Sequence, residues 1–163
     1  MTKKVPSTNG NRVARAIATW FGCGYSPVAP GTAGSLAGLA IAIALGEFAG
    51  LAEWQFALLA AAGFAPAVWA ATDTARAEKV KDPGIVVVDE VIGQWVALAG
   101  AHPINWKSYL GAFVLFRLFD IWKPPPVRQL EGLPEGLGIV ADDAMAGLYA
   151  ALVLFLAGWF NLY

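Results

Sequence analysis

Five apolar segments, at roughly residues 35–51, 54–72, 88–101, 107–121 and 144–162, occupy most of this chain, and acidic residues gather at their ends. In lipid a backbone must satisfy its own hydrogen bonds, so segments of this kind become helices. A full crossing takes about 20 residues, though about 17 can serve. The second and fifth segments meet that length and the first is adequate. The third and fourth are short, and are expected to form two tilted helices or a re-entrant hairpin. Hydrophobic residues make up 58% of the chain and charged residues 14%, where a soluble domain carries about 25% charged residues. Mean hydropathy is +0.57. The expected fold is an all-α, polytopic membrane bundle forming a single domain over residues 1–163. No internal repeat is visible, and Gly34-x-x-x-Gly38 marks a place for close helix contact.

The N-terminal third carries less apolar sequence. Residues 1–10 are polar and are expected to be disordered. Lys3 and Lys4 have no apolar core behind them before residue 16, which is not the pattern of a cleaved signal peptide. Val13, Ala16, Ile17 and Trp20 recur at helical spacing beside Arg12 and Arg15, so Asn11–Trp20 reads as a short amphipathic helix. It would lie in the headgroup layer or pack on a protein core. Phe21–Ser35 is rich in Gly, Pro, Ser and Thr and reads as a loop entering a helix that Thr32 or Ser35 would cap. Such a loop is either a connector or an anion cradle. It lacks the Gly-Lys-Ser/Thr ending of a nucleotide-binding loop. A net charge of −1 gives no attraction to nucleic acid, Cys23 is alone, and the single His102 argues against a zinc site.

Asp89-Glu90 stands at the mouth of the third apolar segment, and Asp142-Asp143 at the mouth of the fifth. Arg117, Asp120 and Lys123 lie along one helical face at the end of the fourth, before Pro124-Pro125-Pro126 stops it. With a cytoplasmic N-terminus and five crossings, ten of the eleven basic residues fall inside and only Lys107 outside. The same arrangement brings Asp73, Asp82, Asp89, Glu90, Asp120, Asp142 and Asp143 to that boundary and sends Glu47 and Glu53 to the other. Carboxylates without His or Cys partners suit Mg²⁺, with Mn²⁺ an acceptable alternative. A divalent ion flanked by fixed cations is what phosphoryl transfer requires. A lattice of ion pairs joining helix ends is the structural alternative. An ion-coupled transporter or channel would instead put acids near mid-bilayer, and a CDP-alcohol phosphotransferase needs a spaced acidic pattern along one helix that this chain lacks.

Four motifs resemble the phosphatidylglycerophosphatase A family of bacterial inner-membrane lipid phosphatases. They are Gly22-x-Gly24-x-x-Pro27-x-Ala29-Pro30-Gly31-Thr32-x-Gly34-Ser35; Asp82-Pro83 with Asp89-Glu90-x-x-Gly93; Phe116-Arg117-x-Phe119-Asp120-x-x-Lys123-Pro124-x-Pro126; and Gly138-Ile139-x-x-Asp142-Asp143-x-x-Ala146-Gly147. Val140 stands where many relatives have Met. The resemblance implies an all-helical enzyme of the inner membrane that uses Mg²⁺ to convert phosphatidylglycerophosphate to phosphatidylglycerol. On that reading Asp89, Glu90, Asp120, Asp142 and Asp143 build the metal site at the cytoplasmic face. Arg117 and Lys123 hold phosphate oxygens, and Thr32, Ser35 and nearby backbone N–H groups add donors. Direct attack by water and an aspartyl-phosphate intermediate both fit the pattern. The oligomeric state is not encoded in any of these features.

Overall fold

The computed structural model describes residues 10–163, so the disorder expected for residues 1–10 lies, Gly10 apart, outside the described residues. Every regular element among them is helical: α1 (Arg12–Ala18), a 3₁₀ turn (Cys23–Tyr25), α2 (Pro30–Ala49), α3 (Glu53–Glu78), α4 (Val88–Leu98), α5 (Trp106–Trp122), α6 (Val127–Leu130) and α7 (Glu135–Trp159). Three of them, α2, α3 and α7, are long and apolar enough to cross a membrane by themselves. Their outward faces carry large exposed side chains such as Phe48, Leu58, Trp69, Leu148, Phe155 and Trp159. An apolar exterior of that extent suits lipid contact.

The shortest apolar helix is the centre of the bundle. α4 packs against α2, α3, α5 and α7, and nine of its eleven residues are buried. Eleven residues rise about 16 Å, about half of a hydrocarbon core of roughly 30 Å. α4 and α5 nonetheless form an antiparallel hairpin that reaches from one end of the bundle to the other. At the hairpin's tip, His102 Nδ1 lies 3.1 Å from Glu53 Oε1 at the start of α3. A Cβ added to Gly46, near the end of α2, would strike the Tyr109 hydroxyl.

Close approach depends on small residues. A Cβ on Gly38 of α2 would sit 3.1 Å from Val91 Cα, and the Gly38 carbonyl accepts the Trp95 indole N–H at 3.0 Å. The spacing Gly34-x-x-x-Gly38 therefore works as expected, with α4 as partner. On the other side of α4, a Cβ on Gly147 of α7 would collide with the Gly93 carbonyl. That contact sets the distance between the two helices bearing the acidic pairs.

Several boundaries differ from the sequence-based expectation. α7 begins at Glu135, so Asp142 and Asp143 lie two turns inside a helix rather than at its mouth. α2 begins at Pro30 with Ala29 as N-cap, in the left-handed region at φ 46°; Thr32 and Ser35 are inside the helix and cap nothing. α1 packs on protein: Ala14 and Ala18 are buried and Ile17 and Trp20 pack on the core, while Val13 of the expected apolar face is exposed. Asn11 caps it, Arg15 pairs with Glu78 at 2.7 Å, and the Val87 N–H donates to the Ala18 carbonyl.

Gly147→Val tests the central packing. It forces α4 and α7 apart and is expected to cost about 1–3 kcal/mol, read as a fall in Tm of the detergent-solubilised protein. Leu148→Ala, one residue on and facing outward, is expected to stay within about 0.5 kcal/mol of the parent.

Candidate active site

At the end of the bundle opposite His102, α2, α4, α5 and α7 enclose a cavity of about 340 Å³. α2 contributes Pro30, Gly31 and Thr32, the segment after α3 contributes Lys81 and Asp82, and α4 contributes Asp89 and Glu90 from its first turn. α5 ends there with Arg117, Asp120 and its cap Lys123, and α7 contributes Asp142 and Asp143. The positive end of the α4 dipole favours acids at its first turn. No such help reaches Asp142 and Asp143, which point about 100° apart on α7 and so meet different partners.

The five acids expected at the metal site divide into two sets. Asp120 and Asp142 are neutralised: Arg117 Nη1 donates to Asp120 Oδ2 at 2.6 Å, and Lys123 Nζ to Asp142 Oδ2 at 2.7 Å. Lys123 also lies 3.3 Å from Glu131 Oε2. Asp89 and Asp143 have no such compensation, and Glu90 has only a long contact to Arg117. One carboxylate oxygen from each lies within 4.8 Å of the other two. Asp89 Oδ1, Glu90 Oε2 and Asp143 Oδ2 are buried without a hydrogen-bond partner among the described residues. The nearest cation to this triad, Arg117, stands 3.9 Å from the other Glu90 oxygen. Carboxylate oxygens that are buried, mutually repelling and unsatisfied are relieved by a cation or by taking up a proton. The all-oxygen donor set fits Mg²⁺ or Mn²⁺.

Thr32 reaches the cavity. Ser35 does not: its fully buried hydroxyl donates to the Gly31 carbonyl at 2.9 Å, so the structure does not bring it to the site. Gly31 is itself a site residue, because a Cβ there would strike Glu90 Oε1. Glu131 was not singled out from sequence, since only the fold of α6 toward Lys123 reveals it. Asp82 and Lys81 also line the cavity, although as charges beside Pro83 the sequence alone assigns them no role. Burial raises the Asp82 pKa above the usual carboxylate value, with Lys123 pulling the other way. Burial opposes the charge on Lys123, but its bonds to Asp142 and Glu131 outweigh that and raise its pKa. It stays a cation in the working range.

A lipid-embedded helical bundle whose polar cavity pairs a carboxylate triad with fixed cations defines a membrane phosphate-handling enzyme. The chain belongs to the phosphatidylglycerophosphatase A family, whose model matches residues 16–158. It is 37% identical over 144 residues to the phosphatidylglycerophosphatase A of Escherichia coli, covering 87% of this chain and 81% of that one. It is 39% identical over 140 residues to the Haemophilus influenzae enzyme of the same name, covering 85% of each. A Bacteroides thetaiotaomicron protein, named as a candidate phosphatidylinositol-3-phosphatase, is 43% identical over 149 residues, or 88% of this chain and 92% of that one. No solved structure matches. Membership in a phosphatase family disfavours the transporter and channel readings.

The division of the acids has a measurable consequence in chelator. Asp143→Asn removes one of three repelling charges and is expected to raise Tm; each 1 kcal/mol of relief is worth about 2–4 °C at this chain length. Asp142→Asn removes the main partner of Lys123 and is expected to lower Tm. Equal losses in both variants would contradict the division.

Proposed function

We propose that this protein removes the terminal phosphate of phosphatidylglycerophosphate, giving phosphatidylglycerol and inorganic phosphate at the cytoplasmic face of the bacterial inner membrane. The observation that carries the reading is the triad Asp89–Glu90–Asp143 set beside Arg117 and Lys123 in one cavity, in a chain of this family. The triad would hold Mg²⁺, or Mn²⁺, with Asp120 and Asp142 close enough in the same cavity to join or orient it. Such an ion supplies charge neutralisation and Lewis-acid polarisation of a phosphate.

The chain's own residues then divide the remaining work. Arg117 presents a planar fork of donors to phosphate oxygens while Asp120 fixes its direction. Lys123 adds a second fixed positive charge, aimed by Asp142 and Glu131. Thr32 and the first N–H groups of α2, which have no intrahelical partner, add neutral donors. Gly31 leaves room for Glu90 to stay in the triad. In the overall hydrolysis the bond from phosphorus to the glycerol oxygen breaks, water supplies the new oxygen on phosphorus, and a proton from that water ends on the glycerol hydroxyl. Acyl chains remain in the bilayer alongside the apolar exterior. The α4–α5 hairpin completes five membrane-traversing segments, an orientation supported by the gathering of basic residues at the cavity end.

The Bacteroides relative's name favours a second substrate, phosphatidylinositol 3-phosphate, which also presents a terminal phosphomonoester. Phosphate release from both lipids by purified protein tests the reading. The expected result is turnover of phosphatidylglycerophosphate that chelation abolishes and Mg²⁺ restores, with zinc a poor substitute. Preference for the inositol lipid would move the assignment to that head group. Asp89→Asn and Asp143→Asn are expected to lose at least about 100-fold in kcat, while Glu47→Gln at the other end stays near the parent. Activity surviving exhaustive chelation would remove the metal from the mechanism.

Orientation is tested separately, in a background with Cys23 replaced. A cysteine at Pro103 is expected to react with an impermeant thiol reagent added outside, and one at Lys81 is not. Labelling of both from the same side would contradict the five-crossing arrangement.

A further inference from the structure

The acid cavity accounts for the terminal phosphate and leaves the rest of the lipid without a place. Next to it, and sharing Lys123 as a wall, is a notch of about 220 Å³ that also includes Trp122, Pro124, Pro125, Arg128 and Gln129. That notch shares Trp122, Pro124 and Pro125 with a third space of about 300 Å³, a groove between α5 and α7 floored by Phe119, Tyr149, Leu152 and Val153. The three spaces form one series: acidic, then cationic, then apolar.

We propose that this series is the binding track of the lipid substrate, with its internal phosphodiester on Arg128 and an acyl chain in the groove beside Trp122 and Tyr149. The proposal rests on the reading of the protein as a lipid phosphomonoesterase, and it holds for either head group, since both candidate lipids carry a phosphodiester between the terminal phosphate and the acyl chains.

Charge complementarity supports the middle position. Arg128 is exposed and makes no ion pair among the described residues, a state it shares with Arg12, Lys79, Lys81 and Lys107, but of these five only Arg128 lines the notch. The nearby acid Glu131 is turned to Lys123 instead. A phosphodiester carries one negative charge and two free oxygens, which a guanidinium fork matches. The groove is built rather than incidental. Tyr149 donates its hydroxyl to the Pro125 carbonyl at 2.7 Å, tying the proline loop to α7. The Phe119 ring stacks with Trp122 at 6.5 Å and meets Tyr149 edge-on at 5.6 Å. Leu152 lies ten residues beyond Asp142 on α7, so the groove descends about 15 Å from the acids toward the apolar middle of the bundle. A chain entering there keeps its methylenes out of water.

Two measurements test the track, one independent of turnover. The first is titration of dihexanoylphosphatidylglycerol, which has the phosphodiester and acyl chains but no terminal phosphate, into detergent-solubilised protein. Arg128→Gln is expected to weaken its binding roughly tenfold, with Arg128→Lys recovering part of the loss. Lys79→Gln, an exposed charge outside the track, is expected to change nothing. The second is steady-state kinetics with phosphatidylglycerophosphate. Arg128→Gln is expected to raise KM about tenfold with kcat within about twofold. Trp122→Ala is expected to raise KM more for dioleoyl than for dihexanoyl substrate. Unchanged phosphatidylglycerol binding in Arg128→Gln overturns the proposal whatever the activity. Arg128-dependent binding in a parent protein that hydrolyses neither lipid upholds the track and sinks the assigned reaction instead.

Discussion

Asp89, Glu90 and Asp143 repel one another in a buried cluster where none of the three orphan oxygens has a hydrogen-bond partner among the described residues, and the bundle is arranged to hold them there. Water would relieve such a cluster, and so would a few ångströms of separation. The packing denies the second. Glu90 is confined by Gly31 of α2, Asp89 sits in the first turn of the central helix, and Asp143 is pressed toward α4 by the Gly93–Gly147 contact. Holding three acids this way costs stability, a cost the surrounding apolar packing of α4 must outweigh. A site that is unfavourable without a ligand is well prepared for a divalent cation and the phosphate it carries.

The second set of charges makes the first one useful. Pairing Arg117 with Asp120 and Lys123 with Asp142 directs two long, flexible cations into the cavity without letting them collapse onto the triad. If either lysine or arginine neutralised the triad directly, the cluster would be a closed ion lattice with no capacity left for metal. The observed separation, with Arg117 at 3.9 Å from Glu90, leaves that capacity. Placement at one end of an apolar bundle then suits a substrate whose head group is polar and whose tail stays in lipid.

Much of this was legible in the sequence because lipid simplifies the code. Apolar segments must be helices, and acids at their ends are costly enough to signal function; hence the all-helical bundle and the convergence of Asp89, Glu90, Arg117, Asp120, Lys123, Asp142 and Asp143. What sequence concealed came from glycine and from burial direction. Gly136 and Gly138 lie in the first turns of α7, ahead of the apolar segment expected from residue 144, and a Cβ at Gly136 would strike the Val68 carbonyl and one at Gly138 the Leu133 carbonyl. The acidic pair therefore appeared to open a helix that it enters two turns late. The run Ala29–Ser35 read as a loop for the same reason, and Ser35 looked like a free donor although its hydroxyl bonds its own helix. α1 hid its inner face because alanines, not the larger Val13, pack against α3. Nor could spacing separate the triad from the paired acids, since that depends on which cation each one faces.

The central claim is that the divalent ion is held on the triad. Crystals of the lipid-solubilised protein soaked with Mn²⁺, with diffraction recorded near the manganese absorption edge, test it most directly. The expected result is an anomalous peak in contact with carboxylate oxygens of Asp89, Glu90 and Asp143, at about 2.0–2.4 Å, and lost in Asp143→Asn. A peak confined to Asp120 or Asp142, with the triad left bare at saturating Mn²⁺, would contradict it.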